Sequence, residues 1–288
     1  MSLTPTHAND PHVVIDATEV CGRPGRQNPF RAMGGEPGVS DALRRARQVT
    51  SADRIHLVAT AADSVRVAAA ADAFEVAGLL LVPRPPGSAA AFALGTAAAA
   101  ADDSAATVLC LPADQLVAAD GHWQLTVRRM VKATRVAAVV CAGVAPQEPQ
   151  TGYCYVYAPP GRGSAGLRTA HSLDEHPDRT SARRYLRARN YFWHTRLLAW
   201  QAADFAELLR RHAPRLAAAV DAHPDEHPAA WPLDRDLPRT PVERAVMAPA
   251  SAEGRLVLVP AVLRWNDLGA GAPPRPFGGT RPDDRLPA

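Results

Sequence analysis

The feature that most limits the fold of this chain is the regular alternation of short apolar runs with helix-like segments over its first half. The apolar runs are nearly continuous, which is typical of strands buried on both faces of a parallel sheet. The segments between them suit crossover helices. We therefore predict an α/β fold with a mixed, mostly parallel sheet and helices on both faces. The predicted strands are HVVIDA, RIHLVAT, GLLLVPR, ATVLCLPAD and VAAVVCAGV, and the predicted helices are VSDALRRARQV, ADSVRVAAAADAF, AAFALGTAAAAA and HWQLTVRRMVKAT.

The second half of the chain has a different pattern, with shorter and more polar runs. Two of these runs predict antiparallel strands, two longer segments predict helices, and a late apolar run predicts a further strand and a turn. In chain order these are TGYCYVYAP, GLRTAHSLDEHPD, TSARRYLRAR, AADFAELLRRHAPRLAAAVDAH and GRLVLVPAVLRWNDLG.

Composition favours a globular protein, and its length allows one large domain or two small ones. The chain has 288 residues, of which 47% are hydrophobic, enough to bury a full core. We predict a disordered N-terminus over 1–11, a folded domain over 12–270 and a Pro/Gly-rich tail over 271–288. No apolar run has the length of a membrane helix, and the first residues lack the pattern of a signal peptide, so we expect a cytoplasmic protein that does not bind membranes.

Charge and cysteine usage exclude further classes. The net charge is +3, without a basic block interleaved with aromatics, so we expect no nucleic-acid partner. Lys132 is the only lysine, and its helix-like surroundings predict a solvated position. Any mechanism that needs a lysine must use this residue or do without one. The cysteines have no C-x-x-C spacing and are predicted to be reduced, mostly buried thiols. They are Cys21, Cys110, Cys141 and Cys154.

A series of short segments between about Val13 and Gly269 resembles, in order, the catalytic domain of mannose-1-phosphate guanylyltransferases, within the sugar-1-phosphate nucleotidyltransferase family. The resemblance implies a Rossmann-like nucleotide-diphospho-sugar transferase fold. It also implies a reaction in which a nucleoside triphosphate and a sugar 1-phosphate give a nucleotide sugar and pyrophosphate, assisted by Mg²⁺, backbone amides and cationic side chains. The segments are VVI, GGEPGVSDALRRA, RIHLVAT, LLLVPRPPGSAAAFAL, LCLPADQLV, PQTGYCYVYA, LDEHPDRTSARRYLRARNYFWHTRLLAW, TPVERAVMAP and LRWNDLG.

The segment after the first strand departs from the family's phosphate loop. The family has a G-G-x-G-T-R type sequence and then a Pro-Lys pair. Here Thr18 and Glu19 stand where two glycines belong, and Arg26 and Gln27 stand over the Pro-Lys pair. Arg23 keeps the arginine, so the resemblance assigns catalytic roles to Arg23 and Arg26. The added side chains fill space meant for phosphate, and the loop is predicted to hold a triphosphate poorly.

The base-recognition segment has lost most of its hydrogen-bonding groups. It reads VPRPPGSAA, in which Val82, Pro86 and Gly87 replace an acid, an arginine and an asparagine of the family's pattern. Ser88 keeps a hydroxyl and is predicted to bind the nucleotide. The alternative is a Pro-rich turn followed by a helix without a role in recognition.

Two aspartates match the family's metal ligands. Asp114 follows a predicted buried strand, and Asp267 lies in RWNDLG. The resemblance implies that both bind Mg²⁺, a hard ion that prefers oxygen ligands, and that Asp114 also contacts the nucleotide. The alternative is local: Asp114 caps the following turn, and Asp267 makes an Asx-turn before Gly269.

The segments that resemble the family's sugar-binding site keep only part of its residues. Gln150 and Cys154 replace a glutamate and a glycine, whereas His194 and Arg196 replace an asparagine and a glycine. Arg196 would project into space that the family leaves for substrate. His176 stands where a lysine would contact the sugar phosphate, which makes that contact weaker and pH-dependent. The predicted sugar-binding residues are Thr151, Gly152, Tyr153, Glu175, His176 and His194.

These substitutions predict a degenerate mannose-1-phosphate guanylyltransferase-like protein of nucleotide-sugar metabolism. Nucleotidyl transfer would be weak or lost, and the protein would bind a nucleotide sugar, a sugar phosphate or a partner subunit. The partner would be a second copy of the chain or an active related subunit. The alternative is an active sugar-1-phosphate nucleotidyltransferase with altered specificity, and a further alternative is a scaffold that binds no ligand.

Overall fold

The computed structural model describes residues 10–18, 32–33, 36–76, 78–161, 166–221 and 239–267. Fourteen strands and eight α-helices lie in these residues. The strands are β1 (His12–Asp16), β2 (Ala32–Met33), β3 (Glu36–Pro37), β4 (Ile55–Thr60), β5 (Gly78–Val82), β6 (Thr107–Pro112), β7 (Gln115–Val117), β8 (Val139–Val144), β9 (Tyr155–Tyr157), β10 (Arg168–Thr169), β11 (Ser172–Asp174), β12 (Tyr191–Gln201), β13 (Leu256–Ala261) and β14 (Trp265–Asp267). The helices are α1 (Gly38–Ala46), α2 (Ser64–Ala73), α3 (Ser88–Asp102), α4 (Gly121–Ala133), α5 (Arg179–Ala188), α6 (Ala202–His212), α7 (Pro214–Asp221) and α8 (Ala248–Ala252).

One large mixed sheet organises the described chain, with the strand order β10-β13-β8-β12-β6-β1-β4-β5. The strands β6, β1, β4 and β5 run parallel to one another, as do β8 and β13. Strand β12 runs antiparallel between β6 and β8, and its first residues also pair with β9. A strand inserted in this direction brings its middle residues to the carboxyl end of β6.

The sheet is covered on both faces, as the sequence predicts. Side chains alternate along β1, so that Val14 belongs to one core and Val13 and Ile15 belong to the other. Helices α3, α6, α7 and α8 cover the face of Val14, and α1, α2 and α4 cover the opposite face. Since β1 is buried on both sides, its continuous apolar sequence is explained by its position.

The alanine-rich helix α3 packs closely on the centre of the sheet. Almost all of its residues are buried, and small side chains let its backbone approach β1. A Cβ atom added to Gly95 would lie 2.3 Å from Cγ1 and 2.8 Å from Cγ2 of Val14. The glycine therefore sets the distance between this helix and the sheet.

The predicted elements of the first half are confirmed, whereas the second half differs from the prediction in several places. The single long helix predicted after residue 201 is two helices, because Pro214 cannot continue the hydrogen bonding of α6 and Ala213 before it leaves the helical conformation. Strand β12 was not predicted as a strand. Cys110 and Cys141 are buried and free, as expected, and Lys132 is exposed.

Parts of the predicted organisation lie outside the described residues. They include Cys21, the first nine residues and the whole tail from 271 onward. Within the described residues, no helix is both long enough and apolar enough to cross a membrane.

The close approach at Gly95 gives a stability prediction. We expect Gly95→Ala to lower the free energy of unfolding by about 1–3 kcal/mol, because the new methyl group overpacks against Val14. Gly121→Ala is the matched control, since a Cβ there meets nothing within 4 Å and the change should stay within about 1 kcal/mol. Urea denaturation of both variants measures the difference, and equal midpoints would contradict the packing described.

Candidate functional site

The candidate site lies where the parallel strands β1, β4, β5 and β6 end, because ligands of open α/β sheets bind at the carboxyl ends of the strands. Two aspartates come from this edge. Asp16 ends β1, and Asp114 follows β6; both are at most 4% exposed. The backbone N–H of Ala113 donates to the carbonyl of Asp16 at 2.9 Å, so the two strand ends are fixed to each other.

The start of the predicted phosphate loop is turned toward a carboxylate. The backbone N–H of Thr18 donates to Oδ1 of Asp16 at 2.8 Å, and its hydroxyl donates to the same oxygen at 2.7 Å. In a phosphate loop this amide would point at the anion. Here it is engaged by Asp16, and the poor triphosphate cradle stays a prediction. Arg23 and Arg26, the predicted catalytic arginines, lie outside the described residues.

The two predicted metal ligands converge, although they are far apart in the chain. Strand β14 pairs antiparallel with β7, and the register places Asp267 opposite Gln115. Asp267 therefore lies beside the residue that follows Asp114. The carboxylates of both aspartates contact the same group, Nη2 of Arg196. The two carboxylates thus converge on one group, as the shared metal site implied by the resemblance requires.

The guanidinium of Arg196 lies between the two carboxylates. Its Nη2 donates a short hydrogen bond to Oδ1 of Asp114 and is 3.7 Å from Oδ1 of Asp267. The three side chains are only 5–15% exposed, so their charges are poorly screened by water. A cation held by two buried carboxylates is already present, and it is part of the chain.

The carboxylate oxygens of the two aspartates suit Mg²⁺, but the space between them does not admit it. Mg²⁺ needs about six oxygen ligands at about 2.1 Å in octahedral order, several of them waters or phosphate oxygens. Asp114 and Asp267 supply the right atoms, yet Arg196 fills the position between them. As arranged, these residues do not fit a metal ion, and a metal would require the guanidinium to leave.

A β-bulge aims Arg196 at the carboxylates. The pairing of β12 with β8 shifts register between His194 and Leu198, and Arg196 has a φ of 57°, in the left-handed region that favours glycine. Two hydrogen bonds of Thr195 hold this conformation. Its hydroxyl donates to the carbonyl of Ala142 at 2.8 Å, and its carbonyl accepts from Nε2 of Gln115 at 2.7 Å.

The buried Arg45 of α1 stabilises the same region through hydrogen bonds. Arg45 of α1 is fully buried; its Nε donates to Asp41 at 3.1 Å, and its Nη2 donates to the carbonyl of Gln115 at 3.4 Å. The indole N–H of Trp123 donates to the carbonyl of Arg45 at 3.1 Å. These bonds fix β7, and β7 in turn places Asp114 and Asp267.

An aromatic cluster forms the neighbouring, sugar-side part of the site. The ring of Tyr153 lies 5.0 Å from that of Trp193 and 5.1 Å from that of Trp265. Trp265 is two positions from Asp267, so the cluster adjoins the carboxylates. Within the described residues, the buried indole N–H of Trp265 finds no hydrogen-bond acceptor. Thr151 and Gly152, also predicted to bind sugar, are exposed just before Tyr153.

His194 forms a buried pair with Glu243, a residue that the sequence analysis did not select. Nε2 of His194 is 3.6 Å from Oε1 of Glu243. Burial alone would raise the pKa of Glu243, but the adjacent His194 ring, the glutamate's own backbone N–H and the charge of Arg196 lower it to about 2. Glu243 lies in TPVERAVMAP, one of the segments that resemble the family, and this was the available signal.

Glu175, His176 and Ser88 are the remaining predicted residues. Glu175 pairs with Arg244, with Oε1 2.9 Å from Nε, and His176 is exposed. Surface pairs of this kind contribute only about 0–1 kcal/mol, so a ligand can displace one. Ser88 begins α3, and its Oγ accepts from the backbone N–H of Val242 at 3.0 Å. Ser88 thus anchors the segment that carries Glu243, and its predicted contact with a nucleotide stays a prediction.

Comparison with known proteins agrees with this architecture. The profile of the family described as "Nucleotidyl transferase" matches residues 32–271. A crystal structure from Thermus thermophilus, described as a mannose-1-phosphate geranyltransferase, superposes with a TM-score of 0.76 at 26% identity. It covers 89% of this chain and 75% of the other.

Curated relatives match a similar portion of the chain. Xanthan biosynthesis protein XanB of Xanthomonas campestris is 27% identical over 206 residues, which cover 67% of this chain and 41% of XanB. Mannose-1-phosphate guanylyltransferase of Escherichia coli K12 is 26% identical over 212 residues, or 67% of this chain and 42% of the enzyme. The match therefore spans about two fifths of the length of these relatives. The resemblance to mannose-1-phosphate guanylyltransferases is confirmed.

The pair of His194 and Glu243 predicts a specific loss of stability in acid. A carboxyl whose pKa is lowered on folding stabilises the protein above its unfolded pKa of about 4.5, and this contribution disappears as the pH falls toward the folded value of about 2. We expect Glu243→Gln to be less stable than the wild type at pH 7, with a difference that shrinks by up to about 1.4 kcal/mol per pH unit between pH 4.5 and 2.

Chemical denaturation at several pH values measures this difference. Glu75→Gln is the control, because the side chain of Glu75 is 84% exposed and its loss should leave the acid profile unchanged. A Glu243→Gln difference that is constant across pH would show that the carboxylate charge does not stabilise the fold.

Proposed function

The chain belongs to the nucleotidyl transferase family, and we propose that it is a degenerate member that binds a nucleotide sugar, with nucleotidyl transfer weak or lost. The observation that carries this proposal is the guanidinium of Arg196 between Asp114 and Asp267. The resemblance to mannose-1-phosphate guanylyltransferases suggests GDP-mannose or a related nucleotide sugar as the ligand.

The chemistry of the family explains why this arrangement opposes catalysis. An oxygen of the sugar 1-phosphate must attack the α-phosphorus of the triphosphate while pyrophosphate leaves. A metal ion held by carboxylates withdraws charge from these phosphates. Arg196 neutralises the carboxylates instead, and a guanidinium does not lose its charge in proteins. Moving it away would leave two buried carboxylates facing each other, which is unfavourable.

The same arrangement can still bind a diphosphate. A guanidinium has five N–H donors in a planar fork and can contact a carboxylate and a phosphate at the same time. A diphosphate carries less negative charge than a triphosphate and needs fewer cations. The amide of Thr18, which a triphosphate cradle would use, already donates to Asp16. These observations support a preference for a finished nucleotide sugar over a nucleoside triphosphate.

The sugar side supplies further groups for such a ligand. The rings of Tyr153, Trp193 and Trp265 form an apolar cluster, in which the buried indole N–H of Trp265 has no hydrogen-bond acceptor within the described residues. The side chain of His194 is fully buried, and its Nε2 lies 3.6 Å from Oε1 of Glu243. Aromatic walls with a few buried polar groups are typical of small-molecule sites. A binding member would then act through a second copy or an active related subunit.

An active transferase with altered specificity is the second candidate. The convergence of Asp114 and Asp267 favours it, because the carboxylates that match the family's ligands lie side by side. In that case Arg196 would leave the carboxylates when Mg²⁺ binds with the substrate, and Arg23 and Arg26 would clamp phosphate in place of lysine.

Thermal shift measurements distinguish ligand classes. We expect GDP-mannose to raise the unfolding temperature equally with Mg²⁺ and with EDTA, and GTP with Mg²⁺ to raise it less. At about 100 times Kd the stabilisation is about 2.7 kcal/mol, or roughly 5 °C for a chain of this size. Glu175→Ala should reduce the shift, whereas Glu207→Ala, which removes an exposed ion pair with Arg211 elsewhere, should not. A larger shift with GTP would contradict the preference proposed.

Pyrophosphate release tests the loss of catalysis directly. With GTP, mannose 1-phosphate and Mg²⁺, we expect release at the background rate, because Arg196 keeps the metal position filled. Robust release that disappears in Asp114→Asn would instead establish the second candidate, an active transferase.

A further inference from the structure

Two buried histidines lie at the amino ends of the strands, opposite the candidate active site. His12 is the first residue of β1, and His56 is the second residue of the parallel neighbour β4. Each is 2% exposed. Asp102, the last residue of α3, reaches the same place from the helix end, with Oδ2 3.8 Å from Nε2 of His56.

The two imidazoles meet edge to edge. Nδ1 of His12 is 3.0 Å from Nε2 of His56, the ring planes are 14° apart and the centroids are 5.3 Å apart. Rings in face-to-face contact would bring their centres closer than this while keeping their nitrogens out of line. The contact is therefore an N–H···N hydrogen bond, in which one nitrogen donates and the other accepts.

The distances among the three side chains suit a tetrahedral metal ion. One ligand atom from each of His12, His56 and Asp102 lies within 4.8 Å of the others. In a tetrahedral zinc site with bonds of about 2.0–2.1 Å, ligand atoms are about 3.3 Å apart. The observed separations of 3.0 Å and 3.8 Å lie on either side of this value, and both rings must rotate for their lone pairs to converge on one ion.

Charges of both signs surround the His12 ring. Burial and the guanidinium of Arg54 lower the pKa of His12, and the carboxylates of Asp102, Asp103 and Asp53 oppose them. Nη1 of Arg54 lies 4.0 Å from Asp103 and 3.0 Å from the carbonyl of Asp10. The carboxyl end of α3 adds the negative end of a helix dipole.

Within the described residues, the buried Nε2 of His12 has no hydrogen-bond partner. It is the ring's other nitrogen, and it carries the proton when Nδ1 accepts a metal ion.

We propose that His12, His56 and Asp102 form a structural site for a divalent transition metal of the Zn²⁺ class. Imidazole and carboxylate together suit Zn²⁺, Co²⁺ or Ni²⁺ better than Mg²⁺ or Ca²⁺. Nδ1 of His12, Nε2 of His56 and one oxygen of Asp102 bind the ion, and water completes the tetrahedron. The ring that now donates the shared proton carries it on its other nitrogen when the metal is bound, so no net proton is released. The ion joins β1, β4 and α3.

Titration of chelator-treated, full-length protein with Co²⁺ and Zn²⁺ tests this proposal. We expect one equivalent of Co²⁺ to bind with the visible absorption of a tetrahedral site, and Zn²⁺ to displace it and raise the unfolding temperature. Asp102→Asn, which alters a half-exposed side chain and should fold normally, should weaken binding at least about tenfold. His56→Gln should abolish it.

His122→Gln is the matched control, because His122 is exposed and lies 3.7 Å from Asp120 in a similar pair. This variant should bind like the wild type. The proposal is overturned if the wild type takes up no stoichiometric Co²⁺, or if Asp102→Asn binds it as tightly as the wild type does. Neither readout depends on nucleotide binding or transfer.

Discussion

The contact of Arg196 with Asp114 and Asp267 is the interaction on which the candidate site depends. Two carboxylates buried this close require a positive charge between them, from a metal ion, a proton or a side chain. Here the chain supplies it from the central antiparallel strand. The bulge in β12, the bonds of Thr195 and the pairing of β14 with β7 all serve to bring these three side chains to one point. A substitution that disrupts any of these contacts would therefore displace the side chains of the site.

The fold and the site were predictable to different extents. Continuous apolar runs identified the parallel strands of the first half, and the resemblance placed both aspartates in one cleft. Strand β12 was missed because it is buried on both faces yet contains His194, Thr195 and Arg196 in its middle, so neither an apolar run nor an alternating pattern is visible. The bulge that accommodates these residues depends on tertiary contacts with Gln115 and Ala142. Local sequence cannot report such contacts.

The replacement of a family glycine by Arg196 did carry information about the backbone. Arg196 stands where the family has a glycine, and the structure gives it the positive φ that glycine adopts most easily. The backbone thus keeps the conformation that suits glycine while the side chain adds a charge. For Glu243, recognition of the segment did not reveal the role of the residue. Its segment was recognised, but its role depends on burial against His194 and on the field of Arg196, which only the folded chain brings together.

The claim that Arg196 takes the place of a metal ion is tested most directly by Mn²⁺ binding, followed by electron paramagnetic resonance. Arg196→Gly removes the guanidinium and suits the local φ, and Arg189→Gly is the control, because Arg189 is an exposed arginine with a φ of 56° outside the site. We expect Arg196→Gly to bind one Mn²⁺ at least about tenfold more tightly than the wild type, equivalent to about 1.4 kcal/mol, and Arg189→Gly to match the wild type. Tight binding by the wild type that is lost in Asp114→Asn would contradict this account.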